Sequence, residues 1–321
     1  MSGAAWRPTG SLETLRLRAL MLRRAREYFA ATDALEVETP ILVRSAVTDV
    51  HLESLEVRRA GGERAGFLHT SPEYAMKRLL CAGAPDIYQV SKVFRDGERG
   101  RLHNPEFTMI EWYRLGIDHH ALMDDVERLL SHIFAGRVSP AASRHLTYRA
   151  AFEASLGVDP IDGPVDELTS ALAARGADVP AALAGERDAL CDLGLSLYVA
   201  PSFPADRITF LHAFPASQAA LARIEGAVAA RFEAFWGSIE LANGFDELGD
   251  AAEQAARFAG DTAQRAHTGL PSHAPDEAFL AALGAGLPRC SGVALGFDRA
   301  VMIATGARHI DEVVAFPAER A

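Results

Sequence analysis

Residues 87 to 114 constrain the fold more than any other part of the chain. Ile87 to Arg95 and Glu106 to Arg114 are two runs rich in apolar and β-branched side chains, separated by the polar stretch Asp96-Gly97-Glu98-Arg99-Gly100-Arg101-Leu102-His103-Asn104-Pro105. That pattern predicts an antiparallel hairpin around a solvated loop. Side chains two apart on a strand share a face, so Phe107, Met109, Glu111 and Tyr113 project together. A carboxylate and a phenol beside apolar neighbours can seat a primary ammonium group. Arg95, at the mouth of the loop, offers a fork of donors suited to a phosphate or a carboxylate. Singly, each residue would suit an ordinary hairpin; together they read as a pocket.

The flanking chain fits around that hairpin. Leu12 to Ala31 carries apolar residues at helical spacing (Leu15, Leu22, Ala25, Tyr28, Phe29) and predicts an amphipathic helix. Leu35 to Pro40 reads as a short strand closed by proline. Thr70-Ser71-Pro72-Glu73 reads as a helix start, with Ser71 as cap and Pro72 at the first helical position. Residues 139–204 are Ala-rich with Gly and Pro punctuation, as expected of a small helical insertion. Strands return over 208–245, a polar helix over 247–265, and a last strand and helix over 292–304. With 321 residues the chain has room for two domains at most. Antiparallel strands with helices outside the hairpins give an α+β class.

Two further constellations carry chemistry. If Trp236-Gly237 is a two-residue turn, Glu233 lies directly opposite Glu240, and facing like charges need a neutralising partner such as magnesium. Two solvated edge glutamates in another register remain an equal reading. Glu247 could meet a distal ammonium or simply begin the next helix. Cys290 to Met302 is an apolar strand running into a helix. There, Gly292 and Gly296 allow close approach of a ligand to backbone, and Arg299 could lie on an adenine face or reach a terminal phosphate.

Composition excludes other classes. A net charge of −11 disfavours a protein that coats phosphate backbones. Cys81, Cys191 and Cys290 are spaced too widely for a zinc knuckle or a disulfide framework. No apolar run approaches the ~20 residues of a membrane span, and Met1 to Leu20 lacks a leader's apolar core, so a cytoplasmic protein is expected. The only lysines are Lys77 and Lys92, neither preceded by glycine. A Walker A loop is therefore absent, and phosphate binding falls to arginine.

Together these strings resemble the catalytic core of the class II aminoacyl-tRNA synthetases, in the lysyl branch. Its first motif would be the helix and strand ending Glu38-Thr39-Pro40-Ile41-Leu42. The second would be Phe94-Arg95 through His103-Asn104-Pro105-Glu106-Phe107-Thr108, and the third Gly292 through Arg299. The resemblance covers almost the whole chain and implies a six- or seven-stranded antiparallel sheet flanked by helices, and a homodimer. It implies ATP and Mg2+ as cofactors. Arg95 would hold the α-phosphate and the substrate carboxylate, while Asp96, Gly97, Asn104, Glu240 and Leu241 would contact ATP. Arg299 would stack on adenine or touch the γ-phosphate, with Gly296 beneath it. Glu233 and Glu240 would carry magnesium. Ser71, Pro72, Glu73, Glu111, Tyr113, Glu247 and Ala294 would line the pocket of a diamino acid.

Two local departures stand out. The family's motif glutamate is Gly97 here, with the acid displaced to Glu98, and Ala294 stands at the middle glycine of the third motif. One methyl in a tight pocket is worth about 1 to 3 kcal/mol of discrimination, enough to favour a β- over an α-amino group. No stretch before Pro40 is long enough for an anticodon-binding domain, which would need roughly 70 residues. The resemblance then implies (R)-β-lysine as the activated amino acid and elongation factor P, a protein, as acceptor, with tRNA an unexpected partner. A truncated lysyl-tRNA synthetase, an amide synthetase of the same fold and a non-catalytic paralogue are the alternatives.

Overall fold

A computed structural model describes residues 6–183 and 185–321. The first five residues of the stretch screened for a leader lie outside the described residues. Helix α1 spans Leu12–Ala31, as its spacing predicts; Ser11 accepts the Thr14 N–H at its start, and Leu17, Met21, Ala25 and Phe29 are its buried face. The expected strand over 35–40 pairs for only two residues, β1 (Leu35–Glu36), before Pro40 ends it. Strands β2 (Leu42–Val43), β3 (Glu56–Arg58) and β4 (Arg64–Leu68) form a separate small sheet in the order β2-β4-β3. Helix α2 (Glu73–Cys81) follows. Its cap position is Pro72, not Ser71; the Ser71 hydroxyl instead accepts the Glu73 N–H at 3.0 Å.

Strands β5 (Ile87–Phe94) and β6 (Glu106–Leu115) form the predicted hairpin, paired from Ile87↔Tyr113 to Phe94↔Glu106. Helix α3 (His119–Phe134) comes next, capped by the Asp118 carboxylate. The stretch expected to be wholly helical opens instead with strand β7 (Ala141–Thr147), which joins the main sheet parallel to its neighbour. Its burial does not alternate, since Ser143 and Leu146 are half-buried while Arg144, His145 and Thr147 are exposed, and a register shift interrupts its pairing, so no period of two marks it in the sequence. Helices α4 (Tyr148–Leu156), α5 (Val165–Ala174) and α6 (Arg187–Gly194) then pack Phe152, Leu172, Leu190 and Cys191 against Leu211 and Phe214 of the sheet.

The chain continues through β8 (Arg207–Pro215), β9 (Ile224–Glu225), β10 (Val228–Trp236), β11 (Ile239–Asp246), α7 (Ala251–His267), α8 (Glu277–Ala285), β12 (Cys290–Gly296) and α9 (Phe297–Thr305). The main sheet runs β1-β5-β6-β12-β11-β10-β8-β7, with β9 on β10. Its six central strands, β5 to β8 in that order, are antiparallel, within the expected range; a parallel strand at each edge widens it.

Alternation assigns the two faces. Ile110 and Trp112, Phe232 and Ala234, and Val293 and Leu295 pack with α1, α3 and α9 in the main core. Glu111 and Tyr113, Glu233, and Gly292 and Ala294 therefore point the other way. Asp298 joins the layers: it accepts the Thr108 N–H at 2.6 Å and pairs with Arg18, whose other nitrogen donates to Thr108 Oγ1 at 2.7 Å. Because Asp298 is only 1% exposed, removing it leaves a largely buried arginine without its counter-ion. Asp298→Ala is expected to cost about 3 kcal/mol or more in chemical denaturation; a loss below about 1 kcal/mol, the level of a surface pair, would contradict this role.

Candidate active site

The polar face of the sheet floors a cavity of about 2170 Å3, larger than the roughly 300–1,000 Å3 of a typical small-molecule pocket. All the sequence-designated residues line it except Asp96 and Gly97. Those two face away for a local reason. The Asp96 carboxylate turns back to accept the Gly97 N–H at 2.9 Å, and the Asp96 N–H is held by the Glu53 carbonyl. Gly97 sits at φ +73°, a backbone that disfavours a side chain. Glu98 lines the cavity in their place, 3.5 Å from Arg95 and 3.9 Å from His103.

At one end of the cavity is a cluster of carboxylates. Ser71 Oγ and Tyr113 OH both donate to Glu111, each at 2.7 Å, so both its oxygens are engaged. Burial, reinforced by the Glu73 charge, still pushes the Glu111 carboxyl up to about 7. Glu73 and Glu247 line the cavity and share an internal partner: Lys77 Nζ lies 2.7 Å from Glu73 Oε1 and 2.5 Å from Glu247 Oε2. Burial pushes Glu247 up to about 8, with Lys77 opposing the rise. The sequence carried a signal for Lys77, four residues after Glu73 on a helix, where oppositely charged side chains meet.

Gly292 is required here. A Cβ on it would lie 2.3 Å from the Tyr113 ring and 2.5 Å from Glu247 Oε1, so its absence lets both side chains lie over β12. Ala294, paired between Glu111 and Asn243, adds one methyl to the floor.

The other end is basic. The Arg95 guanidinium lies 5.1 Å from the centre of the Phe107 ring, and its buried Nε has no hydrogen-bond partner. Arg299 donates to the Glu240 carbonyl at 2.8 Å, approaches Glu240 Oε2 at 3.4 Å, and lies 2.8 Å from His103 Nε2. Burial, followed by the Arg299 charge, pulls the His103 imidazole below its ordinary range. Asn104, expected on ATP, spends its amide on the chain: Nδ2 donates to the Glu106 carbonyl at 2.6 Å and Oδ1 accepts the Ala318 N–H at 3.1 Å. One amide hydrogen and one lone pair of Oδ1 are left for a ligand. At Gly296 a Cβ would meet nothing nearer than 3.8 Å, so the protein itself does not demand glycine there.

Glu233 does not face Glu240 across the strands. The turn is Gly237-Ser238, since Trp236 pairs with Ile239 and Phe235 with Glu240; after a register shift Ala234 pairs with Ala242 and Glu233 with Asn243. Leu241 is the extra, unpaired residue. This bulge reverses the alternation, so Leu241 and Ala242 both reach the apolar core while Glu240 returns to the face of Glu233. Burial first, and then the Glu240 charge, push the Glu233 carboxyl up to about 7 against Arg231. Two hard oxygen donors suit magnesium, which keeps sites for water and phosphate. Among the described residues no trio of His, Cys, Asp or Glu is arranged to hold a metal.

The fold agrees with comparisons to known proteins. A family model of the class II tRNA synthetases (D, K and N) matches residues 4–320. The elongation factor P (R)-beta-lysine ligase of Vibrio cholerae serotype O1 is 47% identical over all of both chains. That of Vibrio parahaemolyticus is 46% identical, with 97% of this chain and 98% of the relative aligned. The ligase of Pseudoalteromonas translucida is 45% identical over the whole of both.

The raised carboxyls make stability depend on pH. A carboxyl whose folded value is raised contributes stability that is full below its unfolded value near 4.5 and is lost as pH climbs through 7 to 8. These carboxyls therefore subtract stability between pH 5 and pH 8, against the gain over the lower part of that range from His119 and His212, whose imidazoles burial pulls down to about 4. Glu111→Gln should flatten that slope by about 1 to 3 kcal/mol, read from urea midpoints across the range. Parallel pH curves for variant and wild type would show that Glu111 does not titrate there.

Proposed function

The chain belongs to the class II tRNA synthetases of the D, K and N group, and on that premise we propose that it activates (R)-β-lysine with ATP and transfers it to a lysine ε-amine of elongation factor P. The observation that carries this reading is the charge of the amine pocket. With Glu73, Glu111 and Glu247 ionised, as bound ammonium groups favour, they are opposed by Lys77 and carry an excess of two negative charges, the complement of a substrate with two ammonium groups; in the empty pocket burial holds Glu111 and Glu247 partly protonated near neutral pH. The relatives that align over the full chain bear the name of that ligase.

The chemistry needs positioning and charge neutralisation more than a protein nucleophile. A carboxylate oxygen of the amino acid attacks the α-phosphorus of ATP, the bond to the β-phosphate oxygen breaks, and pyrophosphate leaves. The unspent Nε–H of Arg95 suits the α-phosphate or the carboxylate. Arg299, at the same basic end of the cavity as Arg95, suits the terminal phosphate or the adenine face. Glu233 and Glu240 would hold magnesium, which neutralises charge on the departing pyrophosphate. The acceptor amine then attacks the acyl carbonyl, an amide forms, AMP leaves, and one proton is released. The large cavity has room for that second substrate above the first.

The acidic chain fits a protein acceptor better than tRNA, and the cytoplasm is where such an acceptor would be met. No helix among the described residues is long and apolar enough to cross a membrane. A homodimer through the first motif is supported by Leu35, Ile41 and Leu42, which are 51%, 41% and 48% exposed.

Pyrophosphate exchange tests the reading. (R)-β-lysine should drive exchange at least about tenfold more efficiently than α-lysine, and Ala294→Gly should shift that ratio toward α-lysine by about 1 kcal/mol or more, the worth of one methyl. Equal exchange with both isomers, together with efficient charging of tRNA, would overturn it.

A further inference from the structure

We propose that Lys77 is a positioning and specificity-determining residue: an internal counter-ion, outside the ligand space, that orients Glu73 and Glu247 and sets the pocket's charge to match a diammonium substrate. This rests on the function proposed above and extends it to a residue behind the wall.

Lys77 is 1% exposed, on α2, and does not line the cavity, whereas Glu73 and Glu247 do. It reaches one oxygen of each, Glu73 Oε1 and Glu247 Oε2. The other oxygen of Glu247, Oε1, is the one that lies over Gly292 beside the Tyr113 ring. One ammonium therefore donates a hydrogen bond to Glu73 and makes a close ion contact, without hydrogen-bond geometry, with Glu247, holding carboxylates from two elements and leaving Glu247 Oε1 over Gly292. Burying an unpaired ammonium is costly; here burial favours the neutral amine, but the two carboxylates outweigh it and hold Lys77 charged.

The groups around it are Glu73 and Cys81 on α2, Glu111 and Tyr113 on β6, Glu247 after β11, and Cys290 on β12. The Phe279 ring of α8 lies 5.9 Å from Nζ. Lys77 is the one cation among them. Without it, three carboxylates share one site with no cation among them and at least one takes up a proton, so the pocket loses both its geometry and its matched charge.

The test uses the full chain with Lys77→Met and with Lys77→Gln, whose amide keeps hydrogen-bond donors without the charge and serves if the methionine variant does not fold. The KM for the amino acid should rise about tenfold or more, the equivalent of one pKa unit of coupling, with the KM for ATP unchanged. The pH at which the amino-acid KM levels off should move to higher pH. Glu73→Gln combined with Lys77→Met removes one charge of each sign and should bring that pH profile back toward wild type, where merely structural damage would add.

A second readout needs no activity: carbon-13 titration of the Glu247 carboxyl should shift upward in the single variants and return in the double. Folded single variants with an unchanged Glu247 titration, or with the two KM values rising together at constant pH profile, would overturn the assignment. Absence of exchange with any amino acid in the wild type would instead sink the ligase reading, while the carboxyl titration would still decide the role of Lys77.

Discussion

Asp298 is the joint on which the site depends. It lies at the start of α9, accepts the Thr108 N–H from the first half of β6, and pairs with Arg18 of α1. The three sequence motifs are far apart in the chain and meet at this one buried carboxylate. Arg95 precedes the loop that leads into β6, and Arg299 directly follows Asp298. Their mutual placement is therefore set by that joint and by the pairing of β6 with β12. A helix start is a favourable place for an acid, and here the same acid closes the sheet onto its covering helices.

The second constraint is electrostatic. A sheet covered by helices on one face can present polar groups only on the other, and this chain presents an excess of carboxylates there. Burial makes each of them costly unless it is neutralised. At one end Lys77 neutralises part of the excess, and at the other Arg231 and Arg299 attend Glu233 and Glu240. What remains unbalanced is suited to bound cations and ammonium groups. Pocket and fold are thus coupled through the protonation of groups that the apolar core does not touch.

Much of this was legible from local pattern. The bounds of α1 and of the β5–β6 hairpin follow from periodicity within a residue, because both elements bury one face and expose another. The shared face of Phe107, Met109, Glu111 and Tyr113 follows from the same alternation. What was not legible depends on tertiary geometry. Glu233 was set opposite Glu240 by assuming one turn; the true turn lies one residue later, and the bulge at Leu241 is invisible to any period-two pattern. Lys77 was noticed only for its rarity: Glu73 is local to it, but Glu247 is brought beside it from a distant segment. Asn104 looked available because nothing in its neighbourhood announces the Ala318 N–H that it accepts. Glu98 replaces Gly97 through a left-handed backbone, which glycine permits without announcing.

The measurement that bears most directly on the function is the intact mass of elongation factor P after incubation with this chain, ATP, magnesium and (R)-β-lysine. The expected result is a gain of one lysyl unit, mapped by fragmentation to a single lysine side chain and abolished by Arg95→Ala. Unmodified elongation factor P in a mixture where tRNA becomes aminoacylated would contradict it.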